Sequence, residues 1–394
     1  MQIFKWVAAG LALAAVQLSV VSDAAWAAAT TVSAQVGQQG SAQSQYATAY
    51  QINVGHSGNI AFTTPLTTPL KRQWSVNLGG TVSYPLIADG RVFVVVNNNL
   101  LFALDLATGT TDWEKEFTGG WNAIAYDDGS LFDVDSGGQL SAYKAASGKP
   151  VWTVPLPDQY SFSSPPTAQS GMVFTGGAGD GGTVYGVDEK TGHVVWTQEV
   201  ENGDNSSPAL GDGGVFVSYP CQYYGFAPST GDPLWHFNGP CEGGGGETPV
   251  YFGGKVYVLD PITGNYVLDA KTGKSLGTFA GGAPPTLFTA SNKRSYVLSI
   301  SDCDGGCTLF SSDTVTGNVA WTFKGDGDLQ VSPIVVNGLV VIGSSAGKLY
   351  VLDGLTGKQL WSGKLPAGVQ KSMAAGQGTI VVPSGSTLSA FVPK

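Results

Sequence analysis

Charge is what this sequence has least of: 12% of its 394 residues are Asp, Glu, Lys or Arg, about half the usual quarter. With 19 basic against 29 acidic residues and a net charge of −10, there is little from which to build a basic stripe, and a nucleic-acid partner is not expected. Histidine is scarcer still. His56, His193 and His236 have no metal-ligand spacing, and the four cysteines include no adjacent or CxxC pair. Beyond the N-terminal region no apolar run approaches the roughly 20 residues needed to cross a bilayer. Helical periodicity is absent from the body of the chain. The glycine runs GGAGDGG (176–182) and GGGG (243–246) lack the lysine and following helix of a phosphate loop, so they read as hairpin loops. One reading of the low charge is adaptation to an acidic exterior, where carboxylates titrate.

Glycine, by contrast, reaches 56 residues, and much of it is ordered in a repeat. The stretch LYVLDGLTGKQLW (349–361) joins a strand-like run to an Asp, a Thr-Gly turn and a tryptophan. The same motif ends at Trp113, Trp152, Trp196, Trp235 and Trp321, and a degenerate copy, NYVLDAKTGKSLG, carries Gly277 in place of the tryptophan. The turn glycines at 109, 148, 192, 231, 273, 317 and 357 are spaced by 39, 44, 39, 42, 44 and 40 residues. A period of about 40 to 45 residues with several strands per unit marks a β-propeller. An earlier half of each repeat, seen in SSPALGDGGVFVSY (206–219) and VSPIVVNGLVVIGS (331–344), adds a strand, a Gly-containing turn and a strand, giving four strands per unit. The Ser-Ser-Pro triplets at 163–165 and 206–208 recur at the innermost strand, which favours a structural role.

The ends fix the count. LSAFVPK at the C-terminus starts a motif and stops before its turn, while KRQWSVNL near Trp74 supplies the missing last strand. Seven whole motifs and one shared between the ends predict an all-β, eight-bladed propeller of four-stranded antiparallel blades over 70–394. Closing the ring in this way removes an exposed sheet edge. Each tryptophan is expected to lie across the neighbouring blade, contributing about 2 to 3 kcal/mol through ring burial.

Residues 1–27 read as a signal peptide, with Lys5, an apolar run from Val7 to Val21 and a small-x-small site at Ala25-Trp26-Ala27. The Ser-, Thr-, Gln- and Ala-rich stretch 28–69 reads as a flexible lead-in. The chain is therefore expected to be exported, periplasmic or secreted, without a lipid anchor or transmembrane segment, and monomeric. Export permits disulfides, and the loops carrying the cysteines open on one face, so Cys221 is expected to pair with Cys241 and Cys303 with Cys307. A metal site is the rival reading of the four.

The repeated unit seen as LDLATGTTDW, VDEKTGHVVW and LDGLTGKQLW resembles the tryptophan-docking repeat of pyrroloquinoline-quinone-type (PQQ-like) propellers, over about residues 70–394. That family includes quinone dehydrogenases and non-enzymatic scaffolds similar to the outer-membrane assembly factor BamB. The resemblance implies, for the dehydrogenases, a quinone held by a tryptophan and a disulfide of adjacent cysteines, with calcium bound by Glu, Asn and Asp. This chain departs from that pattern, its nearest cysteines standing four apart, and it carries no CxxCH haem motif. It departs from BamB in having no lipidated cysteine.

The expectation is accordingly an exported, non-catalytic scaffold that binds a protein or glycan partner and needs no cofactor. The alternatives are a PQQ- and calcium-dependent oxidoreductase with an atypical site, or a polysaccharide-binding or -cleaving propeller. Loops leaving each outermost strand, and loops between second and third strands, should surround one mouth of the central channel. They carry Trp121, Asp158, Tyr160, Phe162, Asp204, Asn205, Glu242, Glu247, Asp326, Asp328, Gln370 and Lys371. This acidic rim would suit a basic partner or a hard cation.

Overall fold

The computed structural model describes residues 45–394 apart from 180, 205, 241–246, 261–263 and 302–305. Eight antiparallel four-stranded blades follow one another along the chain. Blade 1 is built from Leu86–Ala88, Arg91–Val96, Leu100–Asp105 and Thr111–Glu116. Blades 2 to 7 span 122–155, 167–200, 209–238, 250–279, 286–323 and 334–364. In blade 8 the strands Ala374–Gly376, Thr379–Ser384 and Thr387–Pro393 are completed by Leu70–Asn77, which pairs with the C-terminal strand from Leu70 opposite Pro393 to Asn77 opposite Thr387. The ring closes as the sequence predicts.

Burial explains why the inner strands are so apolar. The second strand of blade 1, RVFVVV, is buried at five of its six positions, whereas its outermost strand TDWEKE alternates exposed and half-buried residues. A strand with both faces covered loses its alternation; an edge strand with one face in water keeps it.

The docking tryptophans clamp blade to blade. The indole N–H of Trp74 donates to the Leu106 carbonyl at 2.8 Å, Trp196 to Pro228 at 2.7 Å, Trp235 to Ala270 at 2.8 Å and Trp321 to Gly354 at 3.0 Å. Each ring lies on the turn glycine of the next blade. A Cβ at Gly231 would sit 2.7 Å from the Trp196 ring, and one at Gly273 2.6 Å from Trp235. Glycine is needed there twice over, since Gly231 also has φ +74°. The preceding aspartate fastens the turn: Asp105 Oδ1 accepts from the backbone N–H of Ala107 and Thr108 and from the Thr108 hydroxyl, at 2.7 to 3.1 Å.

The sequence reading of 28–69 as a flexible lead-in does not hold for residues 45–69, which are described and largely packed. Residues 45–58 run around the inside of the ring as a belt. The carbonyls of Ala47, Thr48, Val54, Gly55, Ser57 and Gly58 accept the backbone N–H of Ile87, Tyr126, Leu210, Tyr251, Leu287 and Val335 in blades 1, 2, 4, 5, 6 and 7, and Gln45 accepts from Gln377 in blade 8. Blade 3 is met by a side chain, His56 Nε2 lying 3.3 Å from the Thr167 hydroxyl. The physical reason is the inner edge of each blade, whose unpaired N–H groups face the channel and need acceptors. A small, polar sequence such as ATAYQINVGHSG can supply them without a large apolar face. Asn59–Ile60 then pairs in parallel with Ile334–Val336 of blade 7.

Candidate functional site: the channel mouth

The segments entering the innermost strands line a cavity of about 430 Å³ to which six blades contribute. Its aromatic wall is Tyr84 and Trp121, with Tyr50 supplied by the belt. Tyr50 and Tyr84 meet edge to face at 5.5 Å, and the Tyr84 hydroxyl is fixed by donating to the Ile124 carbonyl at 2.7 Å. Burial pushes both phenols upward, so both stay protonated donors. The remainder is amide and hydroxyl: Asn98, Asn122, Gln330, Gln370, Ser83, Ser332 and Ser372. Lys371 is the single charged side chain among the described lining residues.

Trp121, Gln370 and Lys371 all line this cavity. The described acidic candidates, Asp158, Asp204, Glu247, Asp326 and Asp328, are not among the residues lining this cavity. Asp326 accepts from the Ser344 hydroxyl at 2.8 Å, and Asp328 from Gln330 at 2.9 Å, so both fasten their own loops. Asp158 and Tyr160 are exposed, Tyr160 at 68%. Phe162 is a correction: at 1% exposure it packs against Tyr185 in the core between blades 2 and 3, because Gly138 and Gly177 leave room for its ring. Asp204 and Glu247 are close enough to interact. Burial, and then the Asp204 carboxylate, raise Glu247 above the ordinary range. Asn205 and Glu242 lie outside the described residues.

Cys221 and Cys307 are both disulfide-bonded, and Cys241 and Cys303 lie outside the described residues. The Ser, Thr and His near the belt do not assemble a nucleophile. His56 is fully buried and lowered to about 4 by desolvation, so it is neutral, and the Ser207 hydroxyl donates to the Pro165 carbonyl at 2.7 Å.

The quinone and calcium implied by the dehydrogenase resemblance can be tested against this donor set. Calcium takes six to eight oxygens with carboxylates among them, and the described lining has none; one ammonium is a poor match for a quinone bearing three carboxylates. The residues present do not fit that pair of groups.

What the sequence missed is Tyr50 and the belt. The signal was there in Ala47, Ile52, Ile60 and Phe62, apolar residues that a solvated linker does not need.

Blade count, docked tryptophans and closure from both ends define an eight-bladed propeller of the tryptophan-docking class. The chain belongs to the family whose model is described as "Outer membrane protein assembly factor BamB", matched over residues 56–123, 112–236, 180–299 and 222–392. Among curated proteins it is similar to a tetrathionate hydrolase from Acidithiobacillus ferrooxidans, 27% identical over 64% of this chain and 54% of that protein. It is also similar to the dehydrogenase subunit of an alcohol dehydrogenase (quinone) from Gluconobacter oxydans, 25% identical over 73% of this chain and 40% of that protein. The chain thus spans about half the length of these relatives. In three dimensions it superposes on BamB from Moraxella catarrhalis with a TM-score of 0.66 at 16% identity, covering 82% of this chain and all of that one.

Proposed function

We propose that this chain is an exported, non-catalytic binding propeller that receives a protein or glycan partner at the mouth of its channel. The observation that carries the reading is the described lining itself: three aromatic rings beside amides and hydroxyls, with no paired carboxylates and one cation among the described residues. Aromatic faces with convergent neutral donors and acceptors suit recognition of a polar chain, whereas acid-base or metal chemistry needs titratable groups placed together. Asp204 and Glu247 form an outer acidic collar in this reading and add an ionic-strength-dependent component to capture. Disulfides at Cys221 and Cys307 support export into an oxidising compartment, and we assign the pairs as Cys221–Cys241 and Cys303–Cys307. The domains in this reading are a signal peptide at 1–27 and a propeller with its belt.

The likeness to a hydrolase and a quinone dehydrogenase favours one second reading, an enzyme using the same mouth. One experiment separates the two. The purified protein is tested for capture of envelope proteins and for binding to a glycan array, beside Trp121→Ala and Lys371→Gln. Retention of a partner by the native chain, reduced at least tenfold in Trp121→Ala, is the expected result. Dye reduction with alcohols on adding quinone and calcium, or turnover of tetrathionate, overturns the non-catalytic reading.

A further inference from the structure

One row of residues in blade 2 differs from its counterparts. In the third strand of each blade, the residue just before the docking-tryptophan partner faces one residue of the second strand. In six blades it is a ring: Phe102, Tyr185, Tyr224, Tyr266, Phe310 and Tyr350. In blade 2 it is Ser141, and the residue opposite is Asp133. The position of Asp133 is occupied elsewhere by Val94, Val217, Val258, Ile342 or Val382, with Thr175 and Ser299 in the other two blades. Blade 8 also has a serine, Ser389, but sets Val382 against it. Only blade 2 removes the ring and adds a carboxylate in the same place.

A cavity of about 110 Å³ occupies this place, lined by Asp133, Asp135, Asn122, Gln139, Ser141 and Thr153 among others. Asp133 is 3% exposed, and its buried Oδ1 has no hydrogen-bond partner. A buried carboxylate oxygen left alone costs several kcal/mol, so the row is poor as packing. Asp135 Oδ1 is occupied by the N–H groups of Gly137 and Gln139 at 2.9 Å, leaving Oδ2. The Ser141 and Thr153 hydroxyls are 2.9 Å apart and share one hydrogen bond, which keeps oxygen lone pairs free. The Lys115 ammonium stands over the Tyr143 ring at 4.9 Å, near enough to act on Asp133 without forming an ion pair with it.

We propose that this cavity is a binding site for a hard divalent cation of the calcium type, held by Asp133 and Asp135 with neutral oxygens and water completing the shell. Two carboxylates with amide and hydroxyl oxygens are the ligand chemistry of such an ion, and the site is separate from the channel mouth and independent of what binds there.

The test is a calcium titration by calorimetry and thermal melting at pH 7, on full-length protein stripped with a chelator. One calcium per chain and a raised melting temperature are expected. Asp133→Asn, which keeps the cavity but not the charge, should weaken binding at least tenfold. Ser141→Phe, which restores the ring of six other blades, should fold and bind no calcium. Native protein with no saturable calcium binding, or an Asp133→Asn variant that binds as tightly as the native chain, overturns the proposal.

Discussion

The junction between blades 3 and 4 and that between blades 5 and 6 carry out the same task with different means. At the first, Trp196 is 7% exposed, donates to Pro228, and belongs to a cluster of eleven buried residues. At the second, Gly277 stands where the tryptophan should be, and the buried cluster is Val250, Tyr257, Leu287 and Val297. The turn glycine of blade 6, Gly317, has nothing within 4 Å of a would-be Cβ, and the neighbouring Val315 is 83% exposed. The turn forms all the same, with Asp313 Oδ1 accepting from the N–H groups of Val315 and Thr316 at 2.9 Å. Turn geometry is therefore local, written in Asp-x-x-Thr-Gly; the clamp between blades is a separate property carried by one side chain.

Removing a clamp should have the largest effect. Trp196→Ala deletes a buried ring and its hydrogen bond, and a loss of about 3 to 5 kcal/mol is expected from large-to-small core substitutions. Denaturant unfolding followed by fluorescence measures it. A loss below about 1 kcal/mol would mean that the docked and undocked junctions are energetically alike.

The turn glycines sharpen the contrast. Gly231→Ala and Gly317→Ala each force a side chain into left-handed backbone, at φ +74° and +71°, costing about 1 to 2 kcal/mol. Only Gly231→Ala also drives a Cβ into an indole 2.7 Å away, adding about 1 to 3 kcal/mol of overpacking. Equal losses in the two variants would show that ring contact does not matter.

The fold could be read from the sequence because its determinants are periodic and local: Thr-Gly turns, Asp caps and tryptophans at fixed register. Even the defect at Gly277 was legible as a missing letter. The belt showed only as the apolar residues Ala47, Ile52, Ile60 and Phe62; its path did not, since it is held by backbone carbonyls whose partners lie up to 332 residues away, as between Gln45 and Gln377, and composition carries no trace of backbone pairing. Phe162 was misplaced because loop position suggests exposure, whereas Gly138 of blade 2 and Gly177 of blade 3 make room for the ring. The mouth was half legible: loop order located Trp121 and Lys371, but whether a loop carboxylate faces the channel or fastens its own turn depends on side-chain direction.

Weaker packing should also appear as faster opening. Amide hydrogen exchange in residues 265–280 is expected to exceed that in the corresponding strands around Trp196, because exchange follows local opening free energy and fewer apolar groups are buried there. Uniform protection around the ring would instead place the limiting stability in the belt, which touches every blade.

The smallest effect expected is one that makes a docked junction depend on pH. Between blades 2 and 3, Trp152 donates to the carbonyl of Glu189 at 2.8 Å, and the Glu189 side chain is pushed up to about 9, first by burial and then by the Asp127 carboxylate. A carboxyl whose folded value lies above its unfolded value of 4.5 favours the native state while protonated. Its contribution is complete below pH 4.5 and is lost as pH rises toward 9. Asp133 and Glu247 are raised too and act in the same direction. His56, lowered by burial from 6.5 to about 4, opposes them only below pH 6.5, and the turn carboxylates Asp105, Asp188, Asp269 and Asp313, held low mainly by bonds from the turn threonines, oppose them only below about 3.8. Stability should therefore increase as pH falls from 8.5 to 6.5. Glu189→Gln should reduce that slope by on the order of 1 kcal/mol per pH unit, and should leave exchange near Gly317 unchanged. A native chain that gains stability as pH rises through this window, or a Glu189→Gln variant with the native slope, would remove the carboxyl from the account and leave the tryptophan clamp independent of pH.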